Sequence, residues 1–304
     1  MTGTLIDLAV RSLAGLVELD VERTQYRGHA RELAAAARGE LIIVLGGDGS
    51  INEVVNGVMS RNGTGAGGNG AGGNGSDGGR PLIAVIPGGG ANVLARALGL
   101  PVDAAAAIRR VREVIAAGRY QTIGLGRAAD RYFTFSAGLG MDAETVREVE
   151  RLRAEGRRES TPLFLRTMIR QYYRTDRRRP ALTLERDGQP PTSDLFLTII
   201  TNRSPWTYFH DRQLLPVPNP DFNSGLDVLA LRRIRLITIF NAVGQMLYIR
   251  SRPTRGRDML SVLGSESFTV RSARPIAFQV DGEYLGEIEA IKFQFVPRAL
   301  RVAA

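Results

Sequence analysis

The chain has 304 residues, with 40 Lys plus Arg against 31 Asp plus Glu and a formal net charge of +9. That length accommodates two separate cores. The absence of cysteine excludes disulfides, thiolate metal sites and a cysteine nucleophile, and no run of about 18 apolar residues is present to span a membrane. The basic excess is carried almost wholly by arginine, with Lys292 the single lysine. It calls for an anionic partner (membrane lipid, nucleic acid or a phosphate substrate) or reflects the arginine bias of a GC-rich genome. With no secretory leader pattern, the expectation is a cytoplasmic protein, peripheral to the membrane if lipid is the partner.

Residues 3–17 place Leu5, Ile6, Leu8, Ala9, Leu13 and Leu16 at helical spacing and predict an amphipathic helix. A strand is expected at Leu19–Thr24. A helix then runs from Gly28-His29-Ala30 to Ala37, with His29 a helix-entry residue or a phosphate contact. The apolar run Leu41–Leu45 reads as a strand buried on both faces. It stops at Gly46-Gly47-Asp48-Gly49-Ser50, after which Ile51, Val54, Val55 and Val58 recur at helical spacing. A glycine turn feeding a helix N-terminus suits phosphate, because unpaired N–H groups and a partial positive charge face the ligand with no Cβ in the way. Asp48 would repel a bare phosphate, so it acts through Mg²⁺ or takes a proton from an acceptor hydroxyl; the alternative is a tight turn whose glycines serve geometry alone. Residues 61–80 are glycine-rich and low in complexity, and predict a flexible insertion. The design repeats at 82–98: the run LIAVI, the turn Pro87-Gly88-Gly89-Gly90-Ala91-Asn92, then a helical pattern. Two parallel strands of this kind bring both turns to the sheet's C-terminal edge, where open α/β sheets bind ligands. A helix over 103–117 closes the first domain.

Beyond Gly118 the pattern changes to short strands: Gln121–Leu125, Tyr132–Ser136, Leu182–Glu185, Leu195–Asn202, Leu226–Arg232, Ser267–Arg271, Ile276–Val280 and Ile288–Phe295. They predict a β-rich, sandwich-like second domain. A helix is expected from near Glu144, with Asp142 as its cap. Residues 147–179 interleave eleven arginines with apolar and aromatic residues, the composition of a helix lying on an anionic membrane surface, or of a solvated helix packed by its apolar stripe. No nucleic-acid-binding pattern accompanies the charge, so nucleic acid is not an expected partner. Trp206, beside Pro205 and Tyr208, lines an acyl or headgroup pocket or is a buried aromatic. Residues 236–250 read as a buried or amphipathic helix. Asp281-Gly282, after a strand, is a hairpin turn by local chemistry.

The motifs GGDGSINEVVNG (46–57) and PGGGANVLARALGLP (87–101), in this order and spacing, resemble the diacylglycerol kinase catalytic domain, a family that includes bacterial lipid kinases and sphingosine kinases. Ser50 stands where GGDGT is usual, and Gly90 where a threonine is frequent. The resemblance implies a Rossmann-like α/β nucleotide-binding domain with a parallel sheet over 1–119. It implies a β-rich lipid-binding domain over 120–304, its last residues returning to the first domain, with the active site in the interdomain cleft. It also implies a further strand and an N-P-x-(S/A)-G loop ahead of residue 1. Ser224 occupies the position of an acid that binds a structural Mg²⁺ in several members, with Asp221 or Asp227 as substitutes, although Asp227 reads as an exposed strand residue.

The implied activity is transfer of phosphate from ATP, with Mg²⁺, to a lipid hydroxyl, diacylglycerol foremost. Thr24, Gly46, Gly47, Asp48, Gly49, Ser50, Ile51, Asn52 and Gly88 to Asn92 (Gly89, Gly90 and Asn92 in particular) would meet the nucleotide, with Asp281 and Gly282. Glu283 of the DGE segment is the base candidate, with Asp281 in support and Asp48 in competition. An anionic membrane surface and a homodimer are the expected partners beside the lipid. The alternatives are a non-lipid kinase related to the NAD and phosphofructokinase families, and a catalytically inactive nucleotide- or membrane-binding homologue.

Overall fold

The structure, a computed structural model, describes residues 2–61, 80–157, 161–203, 205–209, 211–218, 221–249 and 251–304. The glycine-rich stretch 62–79 and Arg158 lie outside them. The chain forms two compact units, Met1–Ile123 with Arg298–Ala304, and Gly124–Pro297.

The first unit contains α1 (Thr2–Leu13), α2 (His29–Ala36), β1 (Leu41–Gly46), α3 (Asp48–Ser60), β2 (Leu82–Pro87), α4 (Val93–Ala97) and α5 (Ala104–Ala116). β1 and β2 are parallel and in register from Leu41↔Leu82 to Gly46↔Pro87. The end of the chain pairs on the other side of β2, Val302 parallel to Ile83. Flanked on both edges, β2 buries Ile83, Ala84, Val85 and Ile86, as a continuous apolar run requires. The stretch Leu19–Thr24 is not a strand. It is irregular, and Val21 is 49 % exposed. Its alternation of apolar and acidic residues has the period of a strand, but no partner among the described residues pairs with it.

Helix α3 buries Ile51, Val54, Val55, Val58 and Met59, the stripe the sequence shows. Its packing on α2 is set by Gly57, where a Cβ would lie 2.3 Å from the Arg31 carbonyl oxygen and 2.8 Å from Ala34 Cβ. Asp103 caps α5 by accepting from the Ala106 N–H at 2.8 Å, and α5 packs against α1.

The second unit contains the rest of β3 (Gln121–Ala128), then β4 (Arg131–Phe133), β5 (Ser136–Gly140), α6 (Met141–Ala154), α7 (Thr161–Arg174), β6 (Leu182–Glu185), β7 (Thr192–Leu195), β8 (Leu197–Thr201), β9 (Thr207–Phe209), β10 (Arg212–Leu214), β11 (Leu226–Leu231), α8 (Leu236–Tyr248), β12 (Met259–Ser265), β13 (Ser267–Val280) and β14 (Glu283–Val302). The strand order is β14-β13-β5-β8-β11-β12. Ser267–Arg271 and Ile276–Val280 are one long strand, irregular between Arg271 and Ile276. Its first part pairs β6 and its last part pairs β5. Phe133, Phe268, Phe278 and Phe293 form the centre of the core, with Phe268 stacked on Phe293 at 5.2 Å between centroids.

The arginines of α6 and α7 are largely tied within the unit. Arg151 pairs Glu148 and Glu155, Arg170 lies 3.8 Å from Glu148, Arg147 pairs Glu287 at 3.2 Å, and Arg177 covers the Tyr172 ring at 4.4 Å. Trp206 is half-buried and packs on the clusters around Leu214 and Leu231.

Replacing Gly57 by alanine is expected to push α2 and α3 apart. Overpacking of this kind costs about 1–3 kcal/mol, so the thermal midpoint of G57A should fall by several degrees in calorimetry, while alanine at the open Gly49 position leaves it nearly unchanged.

Candidate active site

The parallel register of β1 and β2 ends both strands at one level, Gly46 opposite Pro87. The Gly88 N–H donates to the Gly46 carbonyl at 2.9 Å. The turns then touch backbone to backbone: a Cβ on Gly89 would lie 2.7 Å from Gly47 Cα, and one on Gly88 3.2 Å from Gly46 Cα. A Cβ on Gly46 would meet that of Ser50 at 2.9 Å. Glycine at these positions is a steric requirement of the contact. Gly49 and Gly90 differ, since a Cβ at either would meet nothing within 4 Å. A threonine side chain, frequent in the family at the latter position, has room there.

Asp48 opens α3, but its carboxylate serves a different helix. It accepts from the Val93 N–H at 3.0 Å and the Leu94 N–H at 3.2 Å, the first two amides of α4. Asn92, in the left-handed conformation with φ 48°, closes the second turn. Its Oδ1 accepts from the Gly89 N–H at 2.9 Å and its Nδ2 donates to the Gly89 carbonyl at 2.8 Å. The second turn is thus folded by Asn92 and capped by Asp48. The N-terminus of α3 is different: Gly47 precedes it with no side-chain cap, so its first-turn amides have no partner from within the helix. Of the two turns, the first is the one followed by a helix whose N-terminus has no side-chain cap among the described residues. Ile51 and Asn52 are buried, and Asn52 accepts from Asn56 Nδ2 at 3.0 Å.

Glu53, not singled out in the sequence, repeats the device. It accepts from the Gly28 N–H at 2.8 Å and the Ala30 N–H at 3.2 Å and so caps α2. His29 takes the helix-entry place: its Nδ1 accepts from the Gln25 N–H at 3.1 Å and its ring stacks on Tyr26 at 4.6 Å. Thr24 lies in the exposed irregular segment before it.

In the second unit, Asp281 and Gly282 have φ 46° and 78° and join Val280 to Glu283 as a two-residue hairpin, the geometry of a type I′ turn. The Asp281 carboxylate is buried. It accepts from the Thr134 N–H at 2.7 Å, the Thr134 hydroxyl at 2.9 Å, and the Phe135 and Ser136 N–H groups at 3.0 Å each. This holds the bend between β4 and β5 against the hairpin. Next to it, Glu283 accepts from Arg131 Nη2 at 2.5 Å, and both side chains are mostly buried. Arg131 gave no sequence signal; only the fold brings it to Glu283, 152 residues away.

Two expectations are corrected here. Asp142 is not a cap, since α6 begins at Met141 with Gly140 before it and no side-chain cap. Its carboxyl is buried against Gly138, where a Cβ would overlap it, and accepts from Gln279 Nε2 at 2.8 Å. Asp227 is not exposed; it is buried, and accepts from the Gly264 N–H at 2.8 Å. All six residues of β11 are buried, so the strand is covered on both faces and an alternating position is not an exposed one. Asp221, which is exposed, folds its own turn by accepting from the Asn223 N–H at 2.9 Å. Among the described residues no three His, Cys, Asp or Glu cluster to hold a metal ion. An Mg²⁺ that arrives with ATP needs only one or two carboxylates besides phosphate and water.

Two parallel strands with abutting glycine turns, in a chain that continues into a β-rich unit, define the fold class. The chain shares it with a diacylglycerol kinase structure from Bacillus anthracis str. Sterne, with a TM-score of 0.67 and 19 % identity over 99 % of this chain and 90 % of that one. It is more distantly similar to an NAD kinase from Archaeoglobus fulgidus in complex with ATP, with a TM-score of 0.50 and 11 % identity over 99 % of this chain and 89 % of that one. The family model for the diacylglycerol kinase catalytic domain matches residues 5–128. That segment carries both glycine turns. Over 271 residues it is 26 % identical to the diacylglycerol kinase of Bacillus subtilis (strain 168), covering 85 % of this chain and 76 % of the relative.

Burial raises the Asp142 carboxyl from its ordinary 3.8 to about 6, against the lowering effect of the Gln279 hydrogen bond. Between those values the folded chain holds a proton that the unfolded chain has lost, so stability falls as pH rises through the window. The loss is about 3 kcal/mol at ~1.4 kcal/mol per pH unit. In urea titrations from pH 4 to pH 7 the parent should show this fall, and Asp142→Asn should flatten it and be the more stable protein at pH 7.

Proposed function

We propose that the chain is an ATP-dependent lipid kinase that transfers the γ-phosphoryl group of MgATP to a lipid hydroxyl, with diacylglycerol the favoured acceptor. The carrying observation is the braced pair of glycine turns, which commits the acid of the first turn to capping α4 and leaves the N-terminus of α3 for phosphate. Backbone amides at Gly49 and Ser50, the Ser50 hydroxyl and the open surface at Gly90 are the groups offered to the nucleotide. Phosphoryl transfer asks for positioning and charge neutralisation more than for covalent chemistry, and a fixed cradle of backbone donors provides that without reorganisation.

The two acidic candidates are assigned different roles. Asp48 already accepts two backbone N–H groups, so we assign it to holding the cradle. Glu283, held in one orientation by Arg131, is the acceptor of the hydroxyl proton. Asp281 supports it by fixing the hairpin from which it projects. The names of the relatives favour diacylglycerol, and the basic surface suits an acceptor presented in an anionic membrane.

The test is phosphate transfer from radiolabelled ATP to diacylglycerol in anionic mixed micelles. The parent should form phosphatidic acid. Glu283→Gln should lower kcat by about 10²-fold or more, the usual reach of general-base catalysis, with the KM for ATP little changed; Asp48→Asn should raise that KM. Transfer to NAD in place of lipid would establish the non-lipid reading, and ATP binding without turnover on any lipid would establish an inactive homologue.

A further inference from the structure

Among the described residues of the second unit, one face of α8 leaves several large apolar side chains open. Ile237 is 73 % exposed, Phe240 69 % and Tyr248 72 %, with Leu236 and Ile249 at its ends 43 % and 40 % exposed. Ile237, Phe240, Gly244 and Tyr248 follow at spacings of three and four, so they form one stripe about 16 Å long. The opposite face is fully used: Thr238, Ala242 and Met246 are buried, the last two against Leu214 and Leu229. The orientation of the helix is therefore fixed, and the stripe is held outward. Among the described residues nothing covers it. An exposed patch with two aromatic rings and a β-branched residue in line marks an interaction site.

The charge around the stripe identifies the partner. Residues 232–257 contain seven arginines and no aspartate or glutamate. Arg232, Arg233 and Arg235 lead into the helix and are exposed; Arg252, Arg255 and Arg257 follow it and are exposed. The following segment is folded back along α8, because the Gln245 side chain donates to the Arg255 carbonyl at 2.7 Å and accepts from the Arg255 N–H at 3.0 Å. Arg233 lies 3.7 Å from Asp258, whereas Arg235, Arg252, Arg255 and Arg257 make no ion pair among the described residues. Arg212 sits over the Tyr248 ring at 5.5 Å, so the stripe ends in an aromatic–arginine pair suited to a membrane–water boundary. This differs from α6 and α7, whose arginines are largely matched by acids of the same unit.

We propose that α8 is a membrane-docking helix that lies in the plane of an anionic bilayer, with Ile237, Phe240 and Tyr248 entering the acyl boundary and the arginines at both ends resting on lipid phosphates. A second copy of the chain is the weaker occupant, because a self-complementary contact through this stripe would set the two arginine groups against each other. The inference stands on the surface itself and not on the phosphoryl-transfer reading; it is tested without ATP.

The experiment is co-sedimentation of the full chain with phosphatidylglycerol–phosphatidylcholine vesicles and with phosphatidylcholine alone, beside sedimentation velocity without lipid. The parent should bind the anionic vesicles and not the neutral ones. Ile237→Ser with Phe240→Ser should weaken binding at least tenfold, and each of Arg235→Gln and Arg252→Gln by about fivefold, near 1 kcal/mol per basic residue at the surface. All these positions are exposed, so thermal midpoints should match the parent and separate docking from folding. Unchanged vesicle binding by the Ile237→Ser, Phe240→Ser protein would overturn the proposal. So would a parent dimer that these substitutions dissociate while vesicle binding persists.

Discussion

The carboxylate of Asp48 is the tie on which the first unit's site depends. Its two hydrogen bonds cross from the turn after β1 to the first two amides of α4, 45 and 46 residues later in the chain. Helix α4 has five residues, too few to hold itself together by backbone bonds, so a negative charge at its N-terminus is a large share of its stability. The same contact keeps Gly47 and Gly89 face to face, and that approach admits no side chain at either. Strand register, glycine placement and one acid form a single construction, whose product is an uncapped α3 N-terminus beside a second exposed glycine turn.

Carboxylates in this chain repeatedly cap backbone that lies far away in sequence. Glu53 does for α2 what Asp48 does for α4, and Asp281 gathers three consecutive amides of the β4–β5 bend. Each of these acids is in or next to a motif that chemistry alone would call catalytic. In the second unit Glu283 pairs with Arg131 beside the Asp281 hairpin. A site built in this way is stiff, which suits a reaction limited by alignment.

Much of the plan was legible in the residues. The runs 41–45 and 82–86 announce parallel strands, of which 82–86 is buried while 41–45 lies at the sheet edge with only Val44 buried; the glycines after them announce turns at one sheet edge, and Asp281-Gly282 announces a two-residue hairpin. Less legible was anything decided by tertiary partners. The strand pattern at Leu19–Thr24 has no partner strand among the described residues, and period alone does not supply one. Asp142 has the sequence position of a cap, yet the side chain is buried over Gly138 and the helix starts before it. Asp227 lies in a strand covered on both faces, so its alternating position is buried as well. Arg131 reaches Glu283 across 152 residues, a separation no local pattern encodes. The exposed stripe of α8 has the same composition as a buried one, and only the fold shows which face is already occupied.

The most direct measurement is amide hydrogen exchange over residues 46–52 and 88–98, with and without MgATP, on the parent and on Asp48→Ala. The account predicts that the Val93 and Leu94 amides of the parent are protected before nucleotide is added, that Asp48→Ala removes this protection, and that MgATP slows exchange at Gly49 and Ser50 of the parent. Protection at Val93 and Leu94 that survives in Asp48→Ala, or α3 amides indifferent to MgATP, would contradict it.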